Sequence, residues 1–70
     1  MAQYVVTEKI GTDEIQFGIA VWEKDEMVDH IADIAPTMTE VMRLAALLQR
    51  CGVASEQFRD VVLDYIVVRA

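Results

Sequence analysis

From Glu14 to Trp22 the chain alternates strictly: Ile15, Phe17, Ile19 and Val21 fall on one side, and Gln16, Gly18, Ala20 and Trp22 on the other. Successive side chains of an extended strand point to opposite faces, so this run folds as a β-strand with one buried face. Gly18 is out of place mid-strand, where it weakens a ladder unless a bulge or a close neighbour requires it. Upstream, Tyr4, Val5, Val6 and Thr7 are strong β-formers. Gly11-Thr12-Asp13 breaks that run with turn-forming residues. Two such runs around a glycine-containing connection make a β-hairpin.

After the polar turn Glu23-Lys24-Asp25-Glu26, alternation resumes from Met27 to Ile34. Val28, Ala32 and Ile34 share a face with His30, whereas Asp29 and Asp33 go with Met27 and Ile31. Pro36 ends this third strand because proline has no N–H to give to a ladder. Thr37-Met38-Thr39-Glu40 then fits a capping box, with the Thr37 hydroxyl and the Glu40 carboxylate exchanging bonds with backbone amides. The first helix runs from there to Cys51, and Gly52 supplies the left-handed residue that closes it. Its apolar face is Val41, Leu44, Ala45, Leu48 and Cys51, widened by Met38, Met42 and Ala46. Ser55 is placed to cap a second helix, with Glu56 in its first turn. Phe58, Val61, Val62, Tyr65 and Ile66 form its core stripe at helical spacing.

The expected fold is therefore α+β in a single domain spanning residues 1–70. An antiparallel hairpin or three-stranded sheet (residues 3–9, 14–22 and 27–34) packs on an αα-hairpin (residues 38–51 and 55–68). A chain this short buries only ~60% of its unfolded surface. Small scaffolds compensate with disulfides, a metal or an oligomer interface. One cysteine and one histidine exclude an internal disulfide and a Cys/His zinc cage. The 54% apolar content leaves tight packing or self-association.

Twelve acidic against six basic side chains give a net charge of −6. The basic residues are scattered singly, which argues against nucleic acid and anionic membranes as partners. The second helix carries Arg59 and Arg69 against Glu56, Asp60 and Asp64, the wrong balance for reading a DNA groove. No stretch approaches the ~18 apolar residues of a membrane span. Without a basic start followed by an apolar run, and with a lone cysteine, the chain reads as lacking a signal peptide and as cytoplasmic.

Each candidate site has a plain structural alternative. His30 sits between Asp29 and Asp33, a set of groups that elsewhere binds metals or moves protons. On a strand His30 points away from both, so the three do not converge. Cys51 lies at a helix C-terminus, where the dipole opposes a thiolate, and on the apolar arc, so a buried structural thiol is expected. Trp22 reads as a rim of the core. The glycines show no phosphate-loop spacing. No catalytic, metal or cofactor-binding residue is assigned.

The strongest surface feature is Leu63 with Val67, four apart on one side of the second helix and opposite its core stripe. Asp60 and Asp64, with Glu56, line an acidic ridge beside them. Either the sheet wraps far enough to cover both apolar sides of this helix, or another chain covers one. The second case describes a protein–protein contact, most simply a symmetric homodimer.

Phe17-Gly18-Ile19, Asp33-Ile34 and the run from Cys51 through Phe58-Arg59-Asp60-Val61-Val62-Leu63-Asp64-Tyr65 resemble a family of short proteins carrying a domain of unknown function in Gram-positive, clostridia-like bacteria. The resemblance spans roughly residues 15–66. Ala35 stands where that pattern has serine, and Cys51-Gly52 where it has Cys-Asn. It implies the same fold outline and a bacterial cytoplasmic setting, and brings no catalytic residue.

Three function classes remain. The first is a small interaction or regulatory module, self-associating through Leu63 and Val67 with Asp60 and Asp64 setting polarity. The second is an acidic mimic of nucleic acid occupying a basic site on another protein. The third is an enzyme whose cleft is completed by a dimer, since one short chain has few groups with which to build one.

Overall fold

The computed structural model describes residues 2–69. Three antiparallel strands, β1 (Gln3–Ile10), β2 (Ile15–Glu23) and β3 (Glu26–Ala35), form a sheet of order β1-β2-β3. Helix α1 (Met38–Arg50), a 3-10 turn (Ser55–Gln57) and helix α2 (Phe58–Arg69) come after it. Ile19 and Val21 of β2, Ile34 and Ala35 of β3, Val41, Leu44, Ala45 and Leu48 of α1, and Phe58 and Val62 of α2 make one buried cluster. The helices therefore cover one face of the sheet. Burying each large side chain of this set fully contributes about 1.5–3 kcal/mol.

The hairpin register is regular, from Gln3 opposite Trp22 to Ile10 opposite Ile15. The β2–β3 register is not. Val21 pairs with Asp29 but Trp22 pairs with Met27, so Val28 is an extra residue. Ile19 pairs with Ile31 but Phe17 pairs with Ala35, so Gly18 faces the stretch from Ala32 to Ile34. Each added residue turns the neighbouring stretch of β3 to the other face of the sheet. This corrects the uninterrupted alternation expected for β3. Met27 stands beside Trp22 on the uncovered face, the side that His30 takes, rather than with Ile31. Ile34 reaches the core that Ile31 borders instead of sharing the face of His30. Gly18 is explained by the same bulge: a Cβ there would lie 2.0 Å from the Ile31 carbonyl oxygen.

The β2–β3 turn is made by Lys24 (φ 51°) and Asp25 (φ 64°), two left-handed residues in succession, as a two-residue type I′ hairpin requires. Helix α1 ends in a Schellman motif. Gly52 (φ 64°) donates to the Gln49 carbonyl at 3.2 Å and Val53 to that of Leu48 at 3.1 Å.

Two expected caps are absent. Thr37 has the extended backbone of an N-cap, yet its side chain makes no capping bond. Ser55 opens the 3-10 turn instead of capping α2; Ala54 precedes that turn, and the Gln57 amide donates to the Ala54 carbonyl at 2.9 Å. Helix α2 accordingly starts at Phe58, three residues later than the sequence suggests. Cys51 is exposed rather than buried, since it lies beyond Leu48, the last residue of α1 to reach the core.

Side chains fasten the layers together. The Tyr4 hydroxyl donates to the Val53 carbonyl, tying β1 to the connection between the helices. Burial, with the Glu23 carboxylate adding to it, raises the Tyr4 pKa above its ordinary value. The Tyr4 ring lies 5.7 Å from that of Phe58. The Gln49 amide accepts from the Tyr4 N–H at 3.1 Å and donates to the Ala2 carbonyl at 2.9 Å, standing where a further strand would pair.

Candidate functional site

Helix α2 carries apolar residues at nearly every angle: Val61, Val62, Leu63, Tyr65, Ile66, Val67 and Val68. Phe58 and Val62 are fully buried, and Tyr65 and Ile66 pack against the edge of the core. The last turns reach past it. Leu63 is 46% exposed, Val67 74% and Val68 86%. Leu63 and Val67 thus lie on the outer side, uncovered, with the exposed Asp60 and Asp64 next to them. Glu56 is exposed one turn earlier. Arg59 reaches to Asp29 of β3.

The helix wheel carries a second exposed stripe that the Leu63–Val67 spacing does not reveal. At 100° per residue, Asp60 and Asp64 lie between two apolar stripes. One is Leu63 and Val67. The other is Val61, Tyr65 and Val68. Val61, expected in the core, is 37% exposed because the core-facing line of α2 runs through Phe58 and Val62. Tyr65 and, on α1, Arg43, Leu44 and Leu47 line a groove of about 490 Å³. Thr37, Thr39 and Glu40 complete its rim. A signal for this stripe was present in the sequence: no helical angle of α2 is free of Val, Leu, Ile or Tyr except the acidic line.

The polar groups around His30 are drawn apart by the bulges. The Asp29 carboxylate accepts from Arg59 Nη2 at 2.6 Å and from the His30 amide at 2.8 Å. Arg59 Nη2 also donates to the His30 carbonyl at 3.4 Å. The Arg59 guanidinium holds the Asp29 pKa below the usual carboxylate range, and the Asp29 carboxylate in turn raises that of Arg59. His30 Nε2 lies 2.9 Å from the Thr7 hydroxyl, the two meeting over Ala20 and Gly18 of the central strand. Those two small residues let the edge strands touch across β2, and Ala20 is buried beneath them although it faces away from the helices. Asp33, expected on the Asp29 side, goes to Lys9 of β1 at 3.0 Å. Among the described residues no three His, Cys, Asp or Glu side chains come together in a way that could hold a metal ion.

Trp22 lies on the uncovered sheet face, beside Met27 and near Val5. Among the described residues no helix is long and apolar enough to cross a membrane. No buried side-chain nitrogen or oxygen among them lacks a hydrogen-bond partner. Exposed apolar side chains lie on the uncovered sheet face, at Val5, Trp22 and Met27, and on α2, where Val67 and Val68 are the most exposed and the acidic line divides them. No family model, curated protein or solved structure matches the chain.

Proposed function

We propose that this chain is a small protein–protein interaction module that self-associates through the outer side of α2. Leu63 and Val67 are its apolar anchors, and Asp60 and Asp64 set its polarity. The observation that carries this reading is the exposure of Leu63, Val67 and Val68 on a helix whose buried line is already complete with Phe58 and Val62. Two apolar stripes left in water on either side of one acidic line, on so small a domain, support a docking surface. The bacterial cytoplasmic setting implied by the sequence resemblance is part of the same proposal.

Sedimentation equilibrium of the wild-type chain and Leu63→Asp tests it. The expected result is a concentration-dependent dimer for the wild type and a folded monomer for the variant, with an unchanged far-ultraviolet spectrum. A wild-type chain that stays monomeric up to its solubility limit would overturn the reading.

A further inference from the structure

We infer that the groove between α1 and α2 receives α2 of a second copy, with Arg43 of each copy paired to the partner's Asp64. This inference rests on the self-association proposed above and names the recognition element within it.

Charge comes first. Each copy carries −6, so two copies repel at a distance, and a stable contact needs opposite charges inside the patch itself. Arg43 stands on the groove wall and forms no ion pair among the described residues. The same is true of Asp64 and Asp60 on α2. Arg59 is engaged by Asp29, and Lys9 by Asp33 at the far side of the sheet. Among the described residues, Arg43 is therefore the unengaged cation that borders the apolar groove.

Position agrees. Asp64 lies on the wheel between Val67 and Val68, on the side of the acidic line nearer Val61 and Tyr65. Tyr65 itself lines the groove beside Leu47. The Val61, Tyr65 and Val68 stripe of α2 therefore continues directly into the groove, with Asp64 at its outer border and Val67 beyond it. A contact of one such surface with its own copy is isologous, and the Arg43–Asp64 pair occurs twice in it.

The area suffices. Val61, Leu63, Val67, Val68 and Leu47 are between 37% and 86% exposed. Together they offer on the order of 500 Å² of apolar-residue surface, close to the apolar share of the ~800 Å² that each partner buries in a standard interface.

A charge-reversal cycle followed by sedimentation equilibrium tests the pair. Arg43→Glu alone and Asp64→Arg alone should each weaken dimerisation at least about tenfold, and the double variant should restore it to within a few-fold of wild type. Both positions are exposed, and far-ultraviolet circular dichroism confirms that each variant is folded. A dimer that survives either single reversal unchanged, or a double variant no better than the singles, overturns the inference. In either case the wild-type dimer and its loss in Leu63→Asp still support the broader reading. A wild-type chain that is monomeric throughout overturns both.

Discussion

Arg59 Nη2 lies 2.6 Å from Asp29 Oδ1, across the junction between the first turn of α2 and β3. That pair holds the start of α2 against the sheet edge, and its charge gives it a pH signature. The Asp29 pKa is lower in the folded chain than the ~3.9 of an unfolded one. Folding then releases the Asp29 proton more readily, so the stabilisation is present above about pH 4 and is lost as pH falls through the folded value. In Asp29→Asn the urea midpoint should fall below that of wild type at pH 7. The gap should close below about pH 4 and narrow in high salt, since Arg59 is exposed. A gap that persisted at low pH would mean that the side chain acts by shape alone.

Gly18 tolerates no side chain. A methyl carbon there would lie 2.0 Å from the Ile31 carbonyl oxygen and 2.6 Å from that of Ala32, and both belong to backbone, which cannot rotate away. Gly18→Ala should cost about 3 kcal/mol or more in urea unfolding, at or above the upper end for overpacking. Gly52→Ala provides the contrast. Nothing lies within 4 Å of its Cβ position, and only the φ of 64° opposes it, at a cost of roughly 1–2 kcal/mol.

The β2–β3 turn can be improved. Lys24 and Asp25 both hold positive φ, which a lysine adopts poorly. The double substitution Lys24→Asn with Asp25→Gly fits the type I′ preference and should raise stability by about 1 kcal/mol, read as a higher urea midpoint with an unchanged slope.

Phe58 and Leu63 separate packing from the proposed docking on one helix. Phe58 is fully buried against Tyr4, and Phe58→Ala should destabilise the fold by about 3–5 kcal/mol. Leu63→Ala should change the stability of the monomer by less than about 1 kcal/mol while weakening dimerisation by tenfold or more. Thermal unfolding at low concentration measures the first effect and sedimentation the second.

Local pattern disclosed the elements of this fold but not their deviations. Ile15 to Trp22 alternates because one face is buried, and the β1–β2 hairpin comes directly from that and from Gly11. The faces of β3 were hidden because Val28 and the residues opposite Gly18 shift its register. A bulge depends on which strand passes alongside, and nothing in Met27–Ile34 itself announces one. Gly18 was the single hint. The missing Thr37 and Ser55 caps have a similar origin: residue type permits a cap, while the path of the chain into the helix decides whether the hydroxyl faces the amides. For the candidate site, Leu63 and Val67 were legible from their spacing. Val61, Val68 and Arg43 were not, because their exposure depends on how far α2 runs past the core and where α1 lies beside it.

The Gln49 side chain has one more effect. By occupying the Ala2 carbonyl and the Tyr4 amide with a single carboxamide, α1 plugs the start of the outermost strand with a group too short to be extended. A neighbouring strand meets an occupied border there, so the start of β1 is closed to the edge-to-edge pairing that leads to fibres.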